Sequence, residues 1–303
     1  MTSWKDPEIA AVRALLASRQ PDPGAPRPSL AERRRAMDTM GEMGALPTHC
    51  FHEPGTIGGV KCERVSPEGT IAGRTILYLH GGAYTAGSPR SHRPMIARIA
   101  EAARAVAVVA DYRLGPEHRF PAAVEDAVAV YRAVLAEGID PGKLIVAGDS
   151  AGGGLAMALA LSLKAEGLPQ PAGYVVLSPW TDLTQTGASY AAKGGVDPMI
   201  SKAGLDEQAL AYLGGLDPRD PLASPVLGDF AGVSPVLIQT GSEEALLSDS
   251  TALAEALGLA RVDVRLEIWP EMIHVFHAWG AVLGAARRAI GIAGGWMDQR
   301  FAP

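Results

Sequence analysis

The sequence has little cysteine, because Cys50 and Cys62 are the only two in 303 residues. Two cysteines are too few for a disulfide scaffold and favour free thiols in a reducing compartment. Basic residues are not in excess either: 27 Lys and Arg stand against 33 Asp and Glu, which gives a net charge of −6. Because no basic stripe is present to displace counterions, we do not expect nucleic acid as a partner.

Long hydrophobic runs are also missing. The best apolar run, residues 154–163, ends at Lys164, well short of the length that spans a bilayer. The first eight residues contain charges and Pro7, where a signal peptide needs an uninterrupted apolar core. We therefore expect a cytoplasmic protein without stable membrane insertion.

What is present is a globular composition, 48% hydrophobic and rich in glycine, with a regular alternation of patterns after residue 74. Runs of apolar and β-branched residues, typical of buried parallel strands, occupy 75–79, 105–110, 144–147, 173–177, 235–239 and 261–268. Stretches that favour helices occupy 95–103, 122–137, 152–165, 250–258 and 275–299. Strands that alternate with helices in this way predict βαβ units and a mostly parallel sheet.

Two segments lie outside this alternation. Residues 1–55 contain two helical stretches, 7–19 and 29–43, which are separated by a proline-rich stretch at 20–28 that cannot continue a helix. Residues 185–222 insert a helical piece, 201–213, and loops into the second half. We expect an α/β domain over 56–303 whose sheet is covered at one end by the N-terminal segment and this insertion.

A candidate nucleophile lies in Gly148-Asp-Ser-Ala-Gly152, which fits the pattern G-x-S-x-G. The motif directly follows a predicted strand and directly precedes a predicted helix, the context in which a sharp, strained turn exposes the serine. Its two glycines let the flanking chains approach closely. The pattern therefore predicts Ser150 as the nucleophile; the alternative is a Gly/Ser turn without chemical meaning.

A second glycine-rich loop, His80-Gly-Gly-Ala-Tyr84, follows the strand at 75–79. In serine hydrolases with a G-x-S-x-G turn in such a sheet, the loop after this upstream strand supplies backbone N–H donors to the oxyanion hole. We assign the oxyanion hole to backbone N–H groups of Gly82 and Ala83, with Gly81 next in line, and of Ala151. His80 is interpreted as a loop anchor that makes backbone hydrogen bonds.

The base must follow the nucleophile in the chain order Ser, acid, His. Only His274 and His277 lie downstream of Ser150. His274 falls in a predicted loop between the last strand and the closing helix, from which its side chain can reach across the strand ends. We predict His274 as the base and interpret His277 as packing or capping; a metal pair formed by the two lacks an obvious third ligand.

The acid is expected just after the strand at 235–239, in the segment 240–249. Glu244 is our prediction, since a carboxylate there can accept the His274 N–H and stabilise the imidazolium. Glu243 and Asp249 stay open as alternatives. By default they would be a solvated charge and a helix cap, respectively.

With these motifs, the chain from about residue 76 onward resembles the bacterial hormone-sensitive-lipase-like carboxylesterases of the α/β-hydrolase superfamily. The resembling segments are HGGAY (80–84), DYRLGPEH (111–118), FPA (120–122), GDSAGG (148–153), SPWTD (178–182), DPRDPLAS (217–224) and GSEEAL (241–246). The family pattern G-x-x-D-x-L coincides with Glu244, where most relatives carry Asp. Gly115 stands where Ala is usual, and Ala83 replaces a third glycine.

The resemblance implies an α/β-hydrolase fold, with a mostly parallel central sheet flanked by helices and a helical cap formed by the N-terminus and an insertion. It implies a carboxylesterase that acts without a cofactor or metal on short- to medium-chain acyl esters through Ser150, His274 and Glu244. A homodimer formed through an edge strand is also implied. The segment 111–122 is interpreted as structural, with Arg113 and Glu117 in internal salt bridges rather than in catalysis.

Other functions stay open on the sequence alone. Within hydrolases, a lactone, carbamate, amide or aryl ester could be the substrate, because specificity depends on the cap and acyl pocket. A non-catalytic receptor that binds a small ligand is a second class, although such proteins have lost a triad residue that this chain retains. A lipase acting at membranes has little support, because no basic amphipathic helix with a broad apolar face is evident.

Overall fold

The structure is a computed structural model that describes residues 4–19 and 28–301. The helices are α1 (Pro7–Ser18), α2 (Leu30–Glu42), α3 (Pro89–Ala103), α4 (Ala122–Ala136), α5 (Ala151–Ala165), α6 (Ala188–Ala192), α7 (Lys202–Leu213), α8 (Leu247–Leu259) and α9 (Gly284–Arg300). The strands are β1 (Cys50–Ile57), β2 (Val60–Pro67), β3 (Thr75–Leu79), β4 (Val106–Ala110), β5 (Leu144–Asp149), β6 (Gly173–Leu177), β7 (Val236–Gly241) and β8 (Val264–Trp269). Most of the proline-rich stretch predicted at 20–28 lies outside the described residues.

The strands form one eight-stranded sheet in the order β1-β2-β4-β3-β5-β6-β7-β8. β1 pairs antiparallel with β2, and β2 pairs antiparallel with β4. From β4 to β8 every neighbouring pair is parallel. The predicted mostly parallel α/β sheet is therefore confirmed, and its carboxyl edge is where the loops after β3, β5, β7 and β8 meet.

The antiparallel hairpin formed by β1 and β2 at one edge of the sheet was not predicted from the sequence. The expected end of the helical segment at residue 55 falls inside β1, so the sheet begins at Cys50. A signal was present, because Gly58 and Gly59 form the turn with φ angles of 59° and 82°. Two adjacent glycines between extended runs favour a tight hairpin turn.

Two further boundaries differ from the predictions. α3 starts at Pro89 rather than at 95, because Ser88 and Ser91 form a reciprocal capping box ahead of it. The closing helix does not start at 275: residues Phe276–Trp279 form a 3-10 turn, and α9 starts at Gly284. This break leaves the chain around residue 274 as a loop and not as the first turn of a helix.

Helices cover both faces of the sheet. Along β3, Ile76 and Tyr78 point into a core shared with α3 and α9, whereas Leu77 and Leu79 point into a core shared with α4, α5 and α8. A third apolar cluster joins α1 to the loop after β8 and to α9. In the described part of the chain, no helix combines the length and the hydropathy that a bilayer-spanning segment needs.

Candidate active site

Ser150 lies in the turn between β5 and α5 with φ 52° and ψ −122°, a conformation that L-residues with a side chain rarely adopt. Such strain costs about 1–3 kcal/mol and persists only where the surrounding structure enforces it. A Cβ atom at Gly148 would lie 2.3 Å from the carbonyl oxygen of Gly152, and one at Gly152 would lie 2.0 Å from that of Leu79. Both glycines of the motif are therefore required by close backbone contact, as the sequence predicted.

His274, in the loop after β8, contacts both of its predicted partners. Its Nε2 lies 3.0 Å from Ser150 Oγ, and its Nδ1 lies 3.1 Å from Glu244 Oε2. Burial disfavours the imidazolium, but the hydrogen bond and the negative charge of Glu244 outweigh burial and raise the pKa of His274. The structure thus brings the three residues into one hydrogen-bonded chain.

Glu244 follows β7 and is fully buried. Its second oxygen, Oε1, accepts from the Ser178 hydroxyl at 2.7 Å and from the Gly241 N–H at 2.5 Å. Ser178 Oγ in turn accepts from the N–H of Val275 at 3.0 Å. Ser178 therefore links Glu244 to the chain next to His274. This role was not predicted, although Ser178 is the first residue of the SPWTD segment.

The two alternative acids contact other groups. Glu243 pairs with Lys193 at 3.1 Å, so it is not the solvated charge expected by default. Asp249 is buried inside α8, where its carboxylate accepts from the N–H groups of Thr181 and Asp182 and from Tyr190. It is therefore not a cap of its own helix. Among the described residues, Glu244 is the carboxylate in hydrogen-bonding contact with His274.

The loop at 80–88, called the HGG loop below, lies beside the nucleophile turn. Gly82, Ala83 and Tyr84 all have left-handed backbone, with φ of 117°, 55° and 59°. In the described part of the chain, no group accepts a hydrogen bond from the N–H of Gly82, Ala83 or Ala151. These three of the four predicted oxyanion donors are free.

Gly81 is a correction to the predicted set of donors. Its N–H donates to Asp149 Oδ1 at 3.1 Å, so it is not free for an oxyanion. The cause is Asp149, the acidic residue that precedes Ser150 in G-x-S-x-G and for which no role was predicted. Asp149 also accepts from Tyr78 at 2.9 Å and lies 3.3 Å from His92 Nε2.

Asp149 and His92 form a buried pair in which each side chain favours the charged form of the other. Burial acts against both charges, but their mutual attraction and hydrogen bonds prevail, so the pKa of Asp149 is lowered and that of His92 is raised. The pair fixes the start of the HGG loop through the Gly81 N–H. Nothing in the local pattern around His92 pointed to this contact.

The two remaining histidines near the site are structural. His80 Nδ1 lies 2.8 Å from the Gly81 carbonyl oxygen, and its ring stacks on Tyr112, which agrees with its predicted role as a loop anchor. His277 is buried, with Nε2 3.1 Å from Gln239 Oε1, which agrees with packing. Burial lowers the pKa of His80 to about 4 and that of His277 to about 3.

A serine on a strained strand-to-helix turn, linked through histidine to a buried carboxylate, is the arrangement that serine hydrolases use for nucleophilic attack. Fold and site together therefore define the class as a serine hydrolase on an α/β scaffold. More specifically, the chain belongs to the alpha/beta hydrolase fold family, whose family model matches residues 76–278.

Individual relatives agree with this assignment. The chain is 44% identical to an acetyl-hydrolase of Streptomyces hygroscopicus, over 96% of each chain. It is 34% identical to an esterase of Acinetobacter venetianus, over 78% of each. Among solved structures, an esterase from the bacterial hormone-sensitive lipase family has a TM-score of 0.95 at 39% identity, covering 99% of this chain and 100% of that one. The resemblance stated from the sequence is thereby confirmed.

Proposed function

We propose that this serine ester hydrolase is a carboxylesterase that hydrolyses short- to medium-chain acyl esters through Ser150, His274 and Glu244. The observation that carries the proposal is the unbroken hydrogen-bonded chain from Ser150 Oγ through His274 to Glu244. The relative from Streptomyces hygroscopicus is an acetyl-hydrolase, which supports the short end of the acyl range.

The geometry supports a two-step acyl transfer. Ser150 Oγ attacks the ester carbonyl carbon while His274 Nε2 takes the hydroxyl proton. The oxyanion is stabilised by the free N–H groups of Gly82, Ala83 and Ala151, aided by the N-terminus of α5. His274 then gives its proton to the leaving alcohol, and the same steps with water release the acid and restore Ser150.

Glu244 serves as the acid by fixing the His274 tautomer that presents Nε2 to the serine. Its negative charge stabilises the imidazolium formed in each step, and the same interaction raises the pKa of His274 against the effect of burial. The N-terminal helices and the 185–222 insertion are proposed to cover the site and to shape the acyl pocket. Edge-strand dimerisation and a cytoplasmic location stay predictions.

The decisive experiment is turnover of p-nitrophenyl acetate by Ser150→Ala. We expect the release of nitrophenol to fall on the order of a millionfold, to the background rate. Ser162→Ala is the matched control, because Ser162 is a buried serine of α5 whose hydroxyl, among the described residues, donates to the Ala158 carbonyl oxygen of its own helix. Retained turnover by Ser150→Ala would sink the proposal.

A fluorophosphonate probe separates this enzyme from a non-catalytic ligand receptor. The probe should label the native protein once and leave Ser150→Ala unlabelled, because only an activated serine reacts. A receptor would stay unlabelled in both forms. A series of nitrophenyl esters of increasing acyl length, run beside a lactone, an aryl carbamate and an anilide, then defines the substrate class.

A further inference from the structure

The N-terminal helix α2 contacts the HGG loop directly, through side chains on one of its faces. We propose that α2 holds this loop in the conformation that presents the Gly82 and Ala83 N–H groups, and that Arg34 is a positioning residue for the reaction. The inference rests on the proposed function. It gives the N-terminal segment a part in transition-state stabilisation and not only in covering the site.

The HGG loop needs such support because its backbone is strained. Ala83 and Tyr84 are non-glycine residues in left-handed conformation, which is unfavourable unless neighbouring contacts enforce it. Within the loop, the N–H groups of Thr85 and Ala86 both donate to the Gly82 carbonyl oxygen. These local bonds close the turn, but they do not fix its position relative to Ser150.

Arg34 supplies a contact from outside the loop. Its Nε donates to the Thr85 carbonyl oxygen at 2.8 Å, two residues after Ala83. Its Nη2 donates to the Gly115 carbonyl oxygen at 2.9 Å, and the Gly115 N–H donates to the Tyr84 carbonyl oxygen at 2.8 Å. The guanidinium therefore bridges the loop and the neighbouring turn at Gly115, which the Gly115–Tyr84 backbone hydrogen bond also joins.

Glu117 orients this guanidinium. Its two carboxylate oxygens accept from Arg34 Nη1 at 2.8 Å and from Nη2 at 2.7 Å, a fork geometry that only arginine can make. As an ion pair the contact is half-exposed and contributes little by itself. Its consequence is geometric, since it leaves Nε directed at the HGG loop.

Asp38 holds the other end of the loop from the same face of α2, four residues after Arg34. Its Oδ1 accepts from Ser88 Oγ at 2.5 Å, and its Oδ2 accepts from Arg90 at 2.9 Å. The helix also lies tightly against the start of α3, because a Cβ atom at Gly41 would come 2.2 Å from the Arg90 carbonyl oxygen. α2 is thus hydrogen-bonded to the HGG loop at two positions, Thr85 and Ser88.

Displacement of the loop should act on the transition state more than on the bound ester. The oxyanion bonds strengthen only as negative charge develops, and a misplacement of about 1 Å can cost on the order of a hundredfold in rate. Loss of Arg34 should therefore lower kcat and leave KM nearly unchanged.

The test compares Arg34→Ala with Arg35→Ala, a control at the next position of the same helix. Arg35 is exposed, makes no side-chain hydrogen bond within the described residues, and interacts electrostatically with Glu32 of its own helix rather than with the HGG loop. Turnover is normalised to active sites by the nitrophenol burst, which removes any misfolded fraction. We expect Arg34→Ala to lose roughly ten- to a hundredfold in kcat, with KM within about twofold, and Arg35→Ala to match the native enzyme.

The affinity of a trifluoromethyl ketone reports on the oxyanion hole directly, because its adduct with Ser150 places an oxyanion there. A purely structural role of Arg34 would leave this affinity unchanged. The ketone affinity should weaken in Arg34→Ala by about the same factor as kcat/KM, and Arg34→Lys should recover only part of it, since lysine lacks the fork. Native kcat and analogue affinity in Arg34→Ala would overturn the inference, as would equal losses in Arg35→Ala. Activity in Ser150→Ala would instead overturn the proposed function.

Discussion

At the scale of single residues, the Ser178 hydroxyl joins the two halves of the candidate catalytic chain. It donates to Glu244 and accepts from the N–H next to His274, so one oxygen fixes the acid and the base loop together. A glutamate has one more rotatable bond than an aspartate, and therefore needs more contacts to hold its carboxylate in a single orientation. Ser178 and the Gly241 N–H provide these contacts.

Ser178→Ala should lower kcat by roughly ten- to a hundredfold, because a buried hydrogen bond to a charged group contributes about 1.5–3 kcal/mol. KM should change little, since Ser178 holds Glu244 and not the substrate. Ser162→Ala, which removes a buried serine hydroxyl in α5, is expected to be neutral in kcat. Active-site-normalised kinetics check this, and equal kcat in the two variants would contradict the role.

Glu244→Gln should reduce kcat by as much as about 10⁴-fold, because the neutral amide no longer stabilises the imidazolium. Glu243→Gln and Asp249→Asn are the matched controls and should keep most of the turnover. If either neighbour lost turnover while Glu244→Gln kept it, the acid would have to be reassigned.

The pH profile offers a second test of the same residue. His274 must be neutral to accept the serine proton, so kcat/KM should rise with pH through the His274 pKa. Glu244 raises that pKa above its ordinary value, and Glu244→Gln should therefore move the rise to lower pH. A rise at unchanged pH in the variant would show that Glu244 does not act on His274.

At the scale of elements, α1 is attached to the loop that carries His274. Ile9 and Val12 pack with Met272 and Ile273 in the third apolar cluster. The Glu271 carboxylate accepts from the N–H of Lys5 at 3.0 Å, next to the start of the helix. The N-terminal segment, which was predicted to cover the site, thus also supports the loop that carries the proposed base His274.

Ile9→Ala should lower the free energy of unfolding by about 2–4 kcal/mol, because Ile9 is 0% exposed and its loss leaves a cavity under α1. Leu15→Ala in the same helix is the control, since Leu15 is 40% exposed and should cost less than about 1 kcal/mol. Urea unfolding of both variants measures the difference. Equal midpoints would mean that α1 is not docked in solution as described.

At the scale of the whole molecule, buried histidines with opposite pKa shifts should make stability greatest near neutral pH. His80 and His277 are held neutral by burial, with pKa values of about 4 and 3. As pH falls below about 6.5 the unfolded chain takes up these protons and the folded chain does not, so stability is lost. Asp249 offsets part of this loss of stability at acid pH. Burial raises its pKa to about 7, so the folded protein takes up this proton before the unfolded chain does.

His92 and His274 make the stability of the fold decrease as pH rises above neutral. Their folded pKa values are raised, because Asp149 and Glu244 outweigh burial. The folded protein therefore keeps protons that the unfolded chain has released above about pH 6.5. The stability from these pairs is fully present below that pH and is lost as pH rises through the folded pKa values.

Urea midpoints at about pH 5, 6.5 and 8.5 should be highest at the middle value. Between about pH 5 and 6.5, His277 takes up a proton in the unfolded chain but not in the folded protein. His277→Gln should therefore reduce the loss of stability from pH 6.5 to 5 and leave the loss of stability above pH 6.5 unchanged. A stability that keeps rising to pH 8.5 would contradict the raised pKa values of His92 and His274.

The local sequence determined the secondary-structure elements and the order of the candidate catalytic residues along the chain. Each of the six strands from β3 to β8 and the main helices followed from apolar periodicity, which depends on near neighbours along the chain. The candidate nucleophile Ser150 was predicted from its flanking glycines, and the candidate base His274 from chain order. The β1-β2 hairpin was missed because its exposed first strand lacks an apolar face, leaving only the glycine turn as a signal.

Only the tertiary structure decided which groups meet. Ser178 lies 66 residues from Glu244, and Ser150 lies 124 residues from His274, so no local pattern specifies these contacts. The choice of Glu244 over its neighbours, and the loss of Gly81 as an oxyanion donor to Asp149, depend on packing at the carboxyl edge of the sheet. Periodicity specifies which residues are buried, whereas the partner of each buried polar group is set by the packing of distant segments.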